Sequence, residues 1–147
     1  MKSFITKTMA LVAICTALLS FSLKPGGEGF EIYLNNKVLL QRYGSDMNAI
    51  QSLQLNQGGP NDQLIIKYHH CGKIGKNRII TIKDVQDKAL KEFRYADALT
   101  PVAAMAVNTK EIMNLKKGNR NVLKLYYSSS ELPNGRMLVT LNMGAAE

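Results

Sequence analysis

The feature that most constrains this chain is a stretch of period-two alternation over residues 63–97, in which three strand-like runs are separated by two turn-forming breaks. Leu64, Ile66 and Tyr68 alternate with Ile65, Lys67 and His69; Gly72 and Gly75 interrupt the pattern, and Ile80 and Ile82 resume it. Successive side chains of a strand point to opposite faces, so this alternation suits strands with one face on a core and not a helix of period 3.6. It predicts strands over 64–71, 78–83 and 89–95, the last two joined as a hairpin by a turn at 84–88. In the returning strand Ala89, Lys91, Phe93 and Tyr95 share the face expected to meet the core.

The flanking sequence uses the same grammar. Residues 30–34 and 37–43 read as strands around Asn35-Asn36, and asparagine tolerates the positive φ of a tight turn, so a first hairpin is expected there. Ile50, Leu53 and Leu55 suggest a short strand, and the Gly- and Pro-containing segment 56–62 a loop. After Pro101 comes a short apolar run, 102–107. Asn108 and Thr109 then precede a helix-like segment, 110–117, with Glu111 in its first turn, Lys116 and Lys117 in its last and Gly118 beyond. Ile112 and Leu115 would lay one apolar edge on a sheet. Residues 122–127 and 136–143 form a third expected hairpin around a turn at 128–135 that holds Pro133, Asn134 and Gly135.

About nine short strands with regularly spaced turns and one small helix in the C-terminal third predict an all-β, antiparallel two-sheet sandwich. An immunoglobulin-like arrangement is the first expectation, because the helix leads into the penultimate strand. The chain has no tryptophan for the antibody-type version, and a jelly-roll or C2-like sandwich is the alternative.

The N-terminus carries Lys2 and Lys7 followed by a mostly apolar run from Met9 to Phe21. That run is shorter than the roughly 20 apolar residues of a membrane-spanning helix and fits a secretory signal, with Ser20 and Ser22 placing cleavage after residue 22. The expected organisation is a signal peptide over 1–22, a Gly-rich lead-in over 23–29 and a single domain over 30–147, exported to the periplasm or beyond, with no transmembrane segment in the mature chain. A domain of this size buries roughly two thirds of its unfolded surface. Ile14 before Cys15 is too bulky for lipoprotein processing, so Cys71 is expected to stand alone in the mature protein, without a disulfide partner. The net charge of +8 falls to +6 once the leader's Lys2 and Lys7 are removed and still favours anionic partners, but the charges are scattered and no nucleic acid is expected.

The residues that carry chemistry cluster in the central stretch. His69 and Cys71, two apart on a strand, would share a face and offer a nitrogen and a sulfur to one metal ion, with His70 opposite; two ligands do not close a zinc or copper site, and no cofactor is expected. Cys71 is instead expected to be a small buried hydrophobe, and Cys71→Ser to cost roughly 1–2 kcal/mol. No base and orienting group flank a nucleophile, and the serines 128–130 lack a nucleophile elbow, so no enzyme is indicated. Lys73, Lys76 and Arg78 around Gly72 and Gly75 form a basic loop with poor likeness to a phosphate-binding loop, read as a solvated hairpin loop or an anion contact. Tyr126 and Tyr127 with the neighbouring serines form a second candidate recognition edge.

Together, the signal-like leader, GFEIYLNNKVLL (29–40), YHHCGKIGKNR (68–78) and LYYSSSELPNGR (125–136) resemble small uncharacterised secreted β-sandwich proteins of Gram-negative Bacteroidota. The resemblance implies an exported location and a sandwich fold, and no activity. The expectation is a non-enzymatic binding or structural module of the envelope that meets a protein or glycan. The alternatives are a metal- or thiol-dependent protein using His69 and Cys71, and an anion-binding envelope protein.

Overall fold

The computed structural model describes residues 27–56 and 58–144, which form two sheets and one short helix. In chain order the strands are β1 (Glu28–Leu34), β2 (Lys37–Tyr43), β3 (Gln51–Leu55), β4 (Gln63–His70), β5 (Arg78–Lys83), β6 (Ala89–Tyr95), β7 (Ala104–Asn108), β8 (Val122–Ser129) and β9 (Leu132–Met143), with helix α1 (Thr109–Met113) after β7. One sheet has the order β2-β1-β4-β7, the other β3-β9-β8-β5-β6. The expected leader, 1–22, lies outside the described residues.

Alternation places the core. Leu64, Ile66 and Tyr68 of β4 and Phe30 and Ile32 of β1 face inward from the first sheet; Ile80 and Ile82, Leu123, Leu125 and Tyr127, and Val139 and Leu141 face them from the second. Burying such a side chain fully is worth about 1.5–3 kcal/mol, and a one-residue slip would turn a whole strand's set to water. The core therefore selects the register, since backbone hydrogen bonds alone would tolerate others.

The second sheet is mixed and not purely antiparallel. After β2 the chain makes a 3-10 turn over Gly44–Asn48, buries Met47, and arrives at the edge of the opposite sheet, where β3 runs parallel to β9 with Gln51 beside Val139 and Leu55 beside Met143. Alternation encodes which face is buried and says nothing of direction.

Three boundaries also differ from expectation. β1 begins at Glu28, inside the expected lead-in, because Gly29 lies under the Tyr43 ring; a Cβ there would be 2.1 Å from Tyr43 Cδ1. The helix is capped as expected, Asn108 Oδ1 accepting from Lys110 N at 2.8 Å, but ends at Met113; Ile112 reaches the core and Leu115 packs against it from the following turn. Finally, Ser130 and Glu131 make the last turn, and Pro133, Asn134 and Gly135 belong to β9 as a bulge. Gly135 adopts φ +69°, and a Cβ would sit 3.2 Å from the Tyr127 carbonyl oxygen. Pro133 is tolerated at the start of the strand, where a missing amide costs little.

Candidate binding site at one end of the sandwich

The loops after β4 and β6 meet at one end of the sandwich, and a residue expected to face solvent holds them together. Arg78 is 8% exposed. Its Nε and Nη2 donate to the carbonyl oxygen of Ala96 at 3.1 and 2.9 Å, and its Nη1 donates to that of Ala103 at 3.0 Å, so one guanidinium fastens both ends of the 96–103 loop. The fixed fork of an arginine suits this task, and its charge is met by carbonyl dipoles. Arg78 is thus not part of a solvated basic cluster.

The loop after β4 turns through two left-handed residues, Cys71 at φ +55° and Gly72 at φ +84°. It then returns through Gly75, where a side chain would be crowded: a Cβ would lie 3.1 Å from Arg78 Cδ and 3.2 Å from Tyr127 Oη. Ala98 N donates to Gly75 O at 2.9 Å, in register with the β5–β6 ladder that pairs Arg78 with Tyr95. Ile74 and Leu99 are the chain neighbours of the two residues that this bond joins. Asn77 N donates to Asp97 Oδ1 at 2.8 Å and Lys76 N to Glu131 Oε2 at 3.0 Å; Asn77 Nδ2 donates to Ser130 Oγ and Ser130 N to Lys76 O. Ser130 thus stitches the loop to the β8–β9 turn.

This lacing leaves aliphatic side chains exposed among the polar ones. Leu99 is 93% exposed, and Ile74 and Val102 on the same two loops are exposed as well, with Lys73 and Lys76 on the loop that carries Ile74. Neither lysine has an ion-pair partner among the described residues.

Beneath the loops lies a polar pocket of the core. His70 is buried, its Nε2 2.8 Å from Tyr127 Oη and 3.3 Å from Ser129 Oγ, and Tyr68 stacks on Tyr127 at 4.4 Å between ring centroids. Burial pushes the imidazole below its ordinary range. Glu28 accepts from Tyr68 and from Arg136, the latter at 3.3 Å.

His69 points to the opposite, outer face, where its Nε2 lies 3.0 Å from Glu31 Oε1 and its ring meets Tyr43 edge-on. Tyr33 and Tyr43 also donate to Glu31. Burial alone would raise the carboxyl, but these donors outweigh it and hold Glu31 at about 2. The polar atoms that could act on a substrate here are committed to one another.

Cys71 is exposed, not buried, because β4 ends at His70 and the left-handed turn swings the thiol outward. His69 and Cys71 accordingly do not share a strand face, and among the described residues no group of three or more His, Cys, Asp or Glu side chains is placed to hold a metal ion. The two tyrosines separate as well. Tyr127 is core, whereas Tyr126 lies on the outer face of the second sheet, donating to Asp87 Oδ1 at 3.0 Å beneath Lys83 Nζ, 4.0 Å from its ring centroid. Of the expected binding residues, only Lys73 and Lys76 come together as an exposed pair on one loop.

Sequence reasoning missed Leu99 and Val102. Their signal was two exposed-loop positions filled by aliphatic residues around Thr100-Pro101, where polar residues are usual. Among the described residues no helix is long and apolar enough to cross a membrane. Compared with known protein families and with curated proteins, the chain matches none.

Proposed function

We propose that this protein is an exported, non-enzymatic binding module of the cell envelope that engages its partner through the laced loops 71–77 and 96–103. The observation that carries the reading is Leu99, 93% exposed on a loop that Arg78 ties at both ends. Ordering a loop costs conformational entropy, and a loop already held by internal bonds can offer apolar side chains to a partner without meeting that cost at binding. The internal commitment of Glu31, His69 and His70 supports binding over catalysis. Lys73 and Lys76, which have no ion-pair partner among the described residues, support an anionic component of the partner. An immunoglobulin-like sandwich belongs to the same reading, supported by the short helix before the penultimate strand; the parallel β3–β9 pair is a departure within it.

Photo-crosslinking in the native cell tests this. A crosslinker at position 99 should capture a partner, whereas one at position 126, on the outer face of the second sheet, should not. Capture from 126 alone would move the site to that face.

A further inference from the structure

We infer that the loop end docks on the surface of an anionic lipid bilayer, with Leu99, Ile74 and Val102 entering the headgroup region and Lys73 and Lys76 meeting anionic headgroups. The inference rests on the loop end being the binding site and names the chemistry of what it binds. The geometry favours a bilayer over a protein groove. A leucine 93% exposed stands clear of its own molecule, so the partner must supply nearly all of its apolar contact. A bilayer does so without shape complementarity, whereas a groove would need walls fitted to a tip that itself provides few polar recognition groups. Several polar groups of these loops are engaged within the loop end itself: Asp97 accepts from Asn77 N, Glu131 accepts from Lys76 N, and Thr100 Oγ1 donates to Val102 O at 3.1 Å.

Charge completes the match. Of the carboxylates at this end, Asp97 and Glu131 each bind a backbone amide and Glu28 is paired with Arg136, while the ammonium groups of Lys73 and Lys76 have no ion-pair partner among the described residues. Aliphatic side chains flanked by lysines form the pattern that adds apolar insertion to attraction by anionic lipid. The chain's net charge of +8 acts in the same direction at longer range.

The exposed thiol of Cys71 lies in the same loop and serves as a reporter. In the full chain carrying Cys15→Ser, Cys71 is labelled with a polarity-sensitive fluorophore and mixed with phosphatidylcholine vesicles with and without phosphatidylglycerol. The expected result is a blue shift and protection from an aqueous quencher on the anionic vesicles only. Leu99→Glu should abolish both, and Lys73→Gln with Lys76→Gln should weaken half-saturation by about 30-fold, each lysine contributing about fivefold at the surface. All these positions are exposed, and an unchanged thermal melt verifies that the variants fold. A probe that stays in water on anionic vesicles overturns the inference, even if the vesicles sediment with protein through residues 1–22. So does a blue shift that survives Leu99→Glu. If the probe is silent while position 99 still crosslinks to a protein, the bilayer is excluded and the binding site stands; if both fail, the site itself is wrong.

Discussion

The guanidinium of Arg78 reaches the carbonyl oxygen of Ala103 at 3.0 Å across 25 residues of sequence, while its other donors hold Ala96 at the opposite end of the same loop. The shape of the 96–103 segment therefore depends on a side chain from a neighbouring strand. Arg78→Gln should destabilise the fold by about 2–4 kcal/mol, because the shorter amide cannot reach both carbonyls and leaves acceptors unsatisfied. Urea denaturation measures the loss, and amide exchange should accelerate over 96–103. Lys73→Gln and Lys76→Gln should each shift stability by less than about 0.5 kcal/mol, which separates the clamp from its exposed neighbours.

Glu31 predicts an acid limb in the stability profile. Its folded carboxyl is lowered from 4.5 to about 2, so its contribution is fully present above 4.5 and is lost as pH falls through about 2. The contribution is on the order of 2 kcal/mol. Denaturant midpoints measured down this range should fall in the wild type and decline less steeply in Glu31→Gln. Equal slopes would show that the carboxylate is not held by Tyr33, Tyr43 and His69.

His70 acts in a higher window. Burial disfavours its charged form, so the unfolded chain takes up a proton more readily than the folded one. The stability from this group is complete above 6.5 and declines as pH falls below it. An NMR titration of the His70 ring should give a midpoint below 6.5; one at or above that value would mean the imidazole is solvated.

Cys71 should react in the folded protein. Because the thiol is exposed, a thiol reagent should label it without denaturant, at a rate close to that of the unfolded chain. Cys71→Ser should change stability by no more than about 0.5 kcal/mol, in place of the larger cost that burial would carry. Labelling that requires denaturant would put the side chain back in the core.

Gly29→Ala tests the outer face of the first sheet. The added Cβ would meet Tyr43 Cδ1 at 2.1 Å and Arg42 O at 2.8 Å, so the ring must leave its place and its bond to Glu31. The expected cost is about 1–3 kcal/mol, read from chemical denaturation. Gly29→Ala and Tyr43→Phe should be less than additive, since both remove the same hydrogen bond.

Local pattern was enough for most of the strands, for the turns at 35–36 and 84–88 and for most of the core. Alternation in 64–70, 78–83 and 122–127 is a local consequence of one face meeting apolar neighbours, and Asn35, the turn at 84–88 and the Asn108 cap are local backbone chemistry. The parallel pairing of β3 and the in-strand place of Gly29 and Pro133 came instead from tertiary contacts, whereas strand alternation alone already parts Tyr126 from Tyr127. The same holds at the candidate site. Lys73 and Lys76 were legible as exposed loop charges, but Arg78 reads in sequence as one more of them, because a charge next to a glycine loop looks alike whether it meets water or two carbonyls. Leu99 became an exposed apolar tip, and Cys71 an exposed thiol, only when the chain crossed between sheets and the ladder of β5 and β6 ran on past its strands. Strand direction, burial of a charge and exposure of an apolar group depend on contacts between residues distant in sequence, and no local pattern encodes those contacts.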